Sequence, residues 1–190
     1  METKTIISGL KRGSIMTLER ISDTSLSVTI DNDAIDYSDD LKNQCIDSFG
    51  PVIACTINCL SNQDVKSCIS KLENLCSVDL PVNHMIAMDL YDVESILSKS
   101  KTGIFQTIEA RPEDLKENTK QIVQSIKNAK PDLAGMIILY EWDDPHMLKT
   151  ILESTDVITS VINDSNITLI TQAACTQEKA ESVDISAWGF

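Results

Sequence analysis

The sequence predicts an α/β protein: a mixed β-sheet of about four strands with packed helices, preceded by a strand and a long core-helix region. Three observations carry that expectation. Ala134 to Tyr140 is an uninterrupted apolar run, AGMIILY, which suits a central strand covered on both faces. Helical patterns bracket it. Pro112, with Glu113 and Asp114 behind it, opens a helix to about Ala129 whose inward residues are Leu115, Ile122, Val123 and Ile126. Asp144-Pro145 opens another, with Leu148, Ile151, Leu152, Thr155 and Ile158 inward. Last, Ser182 to Trp188 alternates cleanly, with Val183, Ile185 and Ala187 on one face and Ser182, Asp184 and Ser186 on the other.

From the N-terminus, Ile6, Ile7, Leu10, Ile15, Leu18 and Ile21 read as a helix, or two short helical pieces, interrupted at Gly13-Ser14. Thr24 to Ile30 switches to period two, with Leu26, Val28 and Ile30 on one face, and predicts a half-buried strand. Asp31-Asn32-Asp33 ends it as a turn. Ser38 caps a helix whose wide stripe runs through Leu41, Cys45, Phe49, Val52, Ile53, Thr56, Ile57 and Leu60, kinked or broken at Gly50-Pro51. Asp64 to Cys76 is a further helix, with Val65, Cys68, Ile69, Leu72 and Leu75 inward, followed by a connector from Val78 to Val82. Gly103 to Glu109 and Asn166 to Ala173 complete the strands. From about residue 84 the order is helix, strand, helix, strand, helix, strand, strand, which is a sheet carrying helices.

Composition narrows the function classes. The 190 residues suffice for one sizeable domain, alone or with an ancillary element. An apolar fraction of 42% and a charged fraction of 24% are those of a soluble globular protein. A net charge of −13, with no gathering of Lys and Arg, argues against nucleic acid and against anionic membranes. No apolar run approaches the roughly 20 residues that span a bilayer, and METKTIISGLKRG has neither the apolar length nor the cleavage site of a secretory signal. The expected location is the cytoplasm. Six cysteines without a CxxC pair, and only two histidines, lack metal-ligand spacing, so no metal is expected. Cys45, Cys55 and Cys59 fall within about a quarter turn of one another on a helix, and buried structural thiols are the reading for the set.

The stretch richest in chemistry is Met85 to Leu97, MIAMDLYDVESIL. Asp89 and Asp92 sit three residues apart where an apolar segment becomes an amphipathic helix, with Val93, Ile96 and Leu97 facing inward behind them. That spacing puts both carboxylates on one side of a first helical turn, near the positive end of the backbone dipole. They are either an acidic opening to a surface helix or a pair of working acids.

Taken in this order, the segments resemble the second half of the tubulin and FtsZ superfamily. MIAMDLYDVESIL is similar to the family's catalytic loop and following helix, of the form N-x-D-F-A-D-V. AGMIILYEWDDPHMLKTILE resembles its central strand and next helix, and NITLITQAA and SVDISAWGF resemble its last two strands. Upstream, DTSLSVTIDNDAI is similar to the strand and turn ending the nucleotide-binding domain, and the helical region after it to the central core helix, with a spacing closer to archaeal CetZ-like proteins than to bacterial FtsZ. The resemblance thus divides the chain into residues 1–38, like the end of a GTPase domain, 39–83, a connector like the core helix, and 84–190, like the family's C-terminal α/β domain. It departs from the pattern in three places. No GGGTG(S/T)G loop is present to cradle phosphates, and the chain is expected to begin after that part of the fold. Ala87 stands at the position of the loop's Asn. The linker and terminal peptide that follow in FtsZ are not found before Phe190.

The resemblance implies that Asp89 and Asp92 act in trans, orienting and partly deprotonating water beside another subunit's nucleotide. It implies Asn43 as the residue in the base-contacting position of the core helix. No cofactor is expected on the chain itself, and no GTPase activity from it alone. The partners implied are a tubulin- or FtsZ-like subunit or a second copy, in a cytoskeletal, cell-division setting. Two alternatives stand beside an assembly or regulatory module: a fragment that completes a GTPase held by a separate nucleotide-binding piece, and an α/β regulatory domain that binds a small ligand and is unrelated to filaments. His84 reads as a loop or packing residue and His146 as solvated in a first helical turn. Trp142 covers the core edge or joins a contact surface, and Trp188 packs at the end of the sheet.

Overall fold

Strand periodicity dominates the chain's first third. The computed structural model describes residues 4–7, 15–35, 39–60, 65–76, 83–86, 90–142, 147–162, 166–175 and 182–190. They fall into two compact units, one built from residues 1–80, 89–103 and 190, the other from 81–88 and 104–189.

The first unit holds a run of antiparallel strands in the spatial order β1 (Lys4–Ile7), β2 (Ile15–Arg20), β3 (Ser25–Asp31) and β4 (Val52–Cys59). The register stacks apolar side chains in rows: Met16 opposite Ile30 and Ile30 opposite Ile53, Leu18 opposite Val28 and Val28 opposite Cys55, Leu26 opposite Ile57. All of them are buried. Against this face pack α1 (Asp39–Phe49) and α3 (Leu90–Leu97), both on β4, and α2 (Val65–Cys76), on β3. The buried residues of α2 are Val65, Cys68, Ile69, Leu72 and Leu75, the five expected from its helical spacing. The opposite face carries half-buried Thr17, Ser27 and Thr29, with Val52 50% exposed.

Two expectations need correction here. Of residues 5 to 21, the described parts at 5–7 and 15–20 are strands β1 and β2 rather than helix, and in β2 Met16 and Leu18 alternate with Thr17 and Glu19 and pair in register with β3. The expected interruption at Gly13-Ser14 lies outside the described residues. The long core helix is also absent as such, since Gly50-Pro51 ends α1 and residues 52–59 are a strand. Ile53 and Ile57 are spaced i, i+4 and so fit a helical face, but Cys55 shares their side, which only period two allows. Cys45 therefore lies on α1 and Cys55 and Cys59 on β4, not together on one helix. Ser38, offered as the helix cap, lies outside the described residues, as does the connector at 78–82.

The second unit is a mixed sheet in the order β6 (Thr102–Ala110), β9 (Val183–Gly189), β7 (Gly135–Trp142), β8 (Thr168–Cys175) and β5 (Asn83–Ile86). β7 and β8 run parallel, joined through α5 (Leu148–Val161); the other pairs are antiparallel. The α/β mixed sheet with packed helices is as predicted. It has one strand more than expected, because the apolar segment before α3 forms β5. Every residue of β7 is buried, as its unbroken apolar run predicted. α4 (Leu115–Ala129), entered through a 3-10 turn at Pro112–Asp114, packs on β9 and on α5. Lys127 Nζ, on α4, donates to the Val161 carbonyl at the C-terminal end of α5 (2.8 Å), supplying a cation where α5 has none of its own.

Two side chains depart from the pattern. Ser186, expected outward, is fully buried, and its hydroxyl donates to Thr107 Oγ1 across the β6–β9 pair (3.1 Å). Leu152, expected inward, is 46% exposed, while Ile151 and Ile158 carry the buried side of α5. The Asp144-Pro145 start lies outside the described residues.

Gly189 has no room for a side chain: a Cβ there would collide with Ile126 Cγ2 of α4 and with Leu133 Cδ1. Overpacking of this kind costs about 1–3 kcal/mol. Gly189→Ala is therefore expected to lower the free energy of unfolding by that amount, read as a lower urea midpoint at an unchanged slope, and an unchanged midpoint would show that α4 yields freely.

Candidate functional site

The acid-bearing helix α3 has eight residues, about two turns, too few to persist alone in water. Burial holds it. Val93, Ile96 and Leu97 are buried, and so is Glu94, a carboxylate about 60° beyond Leu97 on the helical wheel, at the edge of the apolar face, where spacing gave no signal of burial. The segment leaving the helix is tied to β4 by the Thr56 N–H, which donates to the Lys101 carbonyl (2.9 Å). Asp92 sits in the first turn, half-buried, and its main-chain carbonyl accepts from Ser95 Oγ (2.8 Å). Asp89 lies outside the described residues.

Beside Asp92, Tyr91 meets the ring of Phe49 edge to face, with centroids 4.7 Å apart and planes at 63°. Phe49 is the last residue of α1. Gly50 follows with φ +86°, a left-handed conformation that glycine adopts without penalty, and its N–H closes the helix on the Ile46 carbonyl (2.8 Å). Asn32, fully buried in the turn after β3, holds the reversal: its Nδ2 donates to the Gly50 carbonyl (3.0 Å) and its N–H to the Pro51 carbonyl (2.9 Å). The predicted Asp31-Asn32-Asp33 turn is present, with the Asp33 N–H donating to Asp31 Oδ1 (3.0 Å) and Lys42 Nζ donating to the Asp33 carbonyl (2.6 Å). Asn43 is exposed on α1, six residues before Phe49 and so about 9 Å along the axis from the ring contact.

The remaining chemistry-bearing side chains are mostly structural. Cys45, Cys55 and Cys68 are buried, Cys59 and Cys76 half-buried, and none of the five is in a disulfide. Among the described residues no group of three or more His, Cys, Asp or Glu side chains could hold a metal ion. Trp142 is buried at the end of β7, covering the core edge rather than forming a surface. Trp188 is buried against Phe105 (centroids 5.1 Å apart) at the end of β9. His84 lies in β5, and His146 is outside the described residues. In the second unit a cavity of about 340 Å³ is lined by Glu109, Ala110, Arg111 and Ser182, with Ser182 Oγ donating to Glu109 Oε1 (2.6 Å).

No protein-family model matches this chain, and no curated protein does. Among solved structures it is similar to a mutant FtsZ from M. jannaschii, at 17% identity and TM-score 0.45 over 68% of this chain and 42% of that one. It is similar also to an empty FtsZ dimer from M. jannaschii (15%, TM-score 0.43, 68% and 40%). A third is the GDP-bound monomer of CetZ1 from Haloferax volcanii (10%, TM-score 0.40, 68% and 41%). The chain spans 40–42% of the length of these structures. Among the described residues no helix is long and apolar enough to cross a membrane.

Burial pushes the Cys55 thiol up from 9.0 to about 12, which makes it unreactive rather than nucleophilic. Burial likewise raises the Tyr140 phenol to about 12, against a smaller opposing effect of its hydrogen bond with Thr119. In both cases the folded state retains a proton that the unfolded state releases, so the stabilising effect is complete below pH 9 and declines as pH rises toward 12. Urea midpoints are expected to fall between pH 9 and 12, and less steeply in Cys55→Ala. Parallel curves for the two proteins would mean that Cys55 is accessible to base in the folded state.

Proposed function

We propose that this chain is an assembly or regulatory module of the tubulin and FtsZ type. It presents the loop carrying Asp89 and Asp92 to the nucleotide face of a partner subunit and is not a GTPase on its own. The observation that carries the reading is the placement of Asp92: a half-buried carboxylate in the first turn of a short helix whose apolar side is sunk on β4. A carboxylate presented from a fixed first turn can orient a water and draw a proton from it as the water attacks phosphorus. Asp89 enters through the resemblance of MIAMDLYDVESIL to the family's catalytic loop, and Asn43 through its position on the helix likened to the core helix. The partner is a full-length tubulin- or FtsZ-like GTPase of the same cell, or a second copy of the chain where that GTPase supplies the nucleotide.

A second reading, a domain that takes up a small ligand, is favoured by the cavity at Glu109, Arg111 and Ser182. Its size suits a small molecule, but its polar lining departs from the mostly apolar walls of ordinary ligand pockets.

The test is phosphate release by the cell's own FtsZ- or CetZ-type GTPase, measured with this chain in excess. The wild-type chain is expected to change the rate, whereas Asp92→Asn still co-sediments with the polymer and loses about a hundredfold of the effect, the low end for removal of a proton-handling group. If rate and polymer mass are both indifferent to the wild-type chain, the assembly reading fails. A rise in melting temperature with a nucleotide or small metabolite, without any effect on the polymer, would favour the cavity instead.

A further inference from the structure

We infer that Phe49 is a positioning residue for the acid-bearing turn of α3, acting through Tyr91. Its consequence for turnover rests on the proposed function; its consequence for the helix does not.

Of the residues that sink α3 onto the sheet, Val93 closes the first turn and Ile96 and Leu97 lie in the second. They hold the inward face of the helix, whereas Tyr91 and Asp92 in its first turn are only half-buried and take their support from further contacts. Tyr91 and Asp92 are adjacent, about 100° apart around the axis, so whatever holds the backbone at Tyr91 also holds the direction in which the Asp92 side chain leaves the helix. An edge-to-face pair is directional in a way that an aliphatic contact is not, because the positive edge of one ring seeks the negative face of the other. The 63° angle and 4.7 Å separation of Phe49 and Tyr91 are of this kind.

Phe49 can serve as a fixed point because the chain on its far side is held. The Gly50 N–H closes α1, and Asn32, itself fully buried, bonds the carbonyls of both Gly50 and Pro51. A mechanical path therefore runs from the end of β3 through Asn32, Gly50 and Phe49 to Tyr91, and one residue further to Asp92. The sequence separation of 42 residues between the two rings hides this contact from any local pattern.

The experiment compares wild type, Phe49→Leu and Phe49→Tyr by amide hydrogen exchange and by the effect on polymer turnover. Phe49→Leu keeps an apolar side chain but loses the ring, so exchange over residues 90–94 is expected to rise roughly two- to tenfold, as an aromatic pair of this kind is lost. Exchange in α2 stays as in wild type, and Phe49→Tyr restores the protection. Tyr91→Leu, which breaks the contact from the other side, reproduces the pattern and serves if Phe49→Leu does not fold. Unchanged exchange at 90–94 in the Leu variants, or a rise that spreads equally to α2, overturns the inference. For turnover, the loss caused by Phe49→Leu is expected to vanish when Asp92→Asn is already present, since both changes act on one carboxylate; independent, additive losses overturn it. If wild type has no effect on the polymer, the proposed function falls while the exchange result alone decides the role of Phe49.

Discussion

Asn32 grips the chain reversal at Gly50-Pro51 with its main chain and its side chain together, and the layout of the first unit depends on that grip. Gly50-Pro51 ends α1, and Asn32 fixes the course the chain takes on leaving it. With that course fixed, Val52 is set opposite Asp31, and the alternation of β4 lands Ile53, Cys55 and Ile57 on the rows already formed by β2 and β3. The arrangement is not without cost. Asn32 Oδ1 is buried with no hydrogen-bond partner among the described residues, which on its own opposes folding by about 1–3 kcal/mol. Full burial of a single Ile contributes a similar amount, roughly 1.5–3 kcal/mol, and β4 places two of them in the core, so the register outweighs the orphaned acceptor.

The elements legible in the sequence were those whose periodicity admits one interpretation. α2 and α4 carry five- and four-residue apolar stripes with no strand-like reading, and the inward residues expected for each are buried. β7 announces itself by length, since eight residues buried on both faces need an apolar run and little else. The failures share a cause. Ile53 and Ile57 satisfy a helix and a strand equally, whereas Ile15 and Leu18 share only a helical face and masked the strand pair Met16 and Leu18; pairing with β3 decides in both places. At Ser186 the alternation was real, but the outward side of β9 is also buried, a fact that belongs to packing and leaves no trace in the strand's own pattern.

The candidate site divides along the same line. Asp92 in the first turn of a helix backed by Val93, Ile96 and Leu97 is a local feature, and spacing alone placed it. What supports that turn is not local. Phe49 looked like one more member of a long stripe, and Asn32 like an ordinary turn residue; only in three dimensions do they become successive links behind one carboxylate. Glu94 was not legible either, since it sits at the edge of the apolar face on the helical wheel and its charge argues against burial.

Charge shapes what such a site can do. The chain carries a net −13, and the exposed side of α1 adds Asp39, Asp40 and Asp47 in the same unit as Asp92. A carboxylate brought to about 4 Å from a phosphate oxygen meets a repulsion of roughly 1 kcal/mol per charge pair in water and about 4 kcal/mol where solvent is partly excluded. Long-range electrostatics therefore cannot draw this surface toward a free nucleotide, and added salt would ease the approach rather than oppose it, the reverse of a nucleic-acid binder. The proposed role meets this constraint only if the nucleotide's phosphates are already neutralised where another subunit would hold it. Affinity then comes from the rest of the contact, and the carboxylate needs only to be aimed. That is a task for rigid support behind a short helix, which is what the Asn32, Gly50, Phe49 and Tyr91 sequence of contacts supplies.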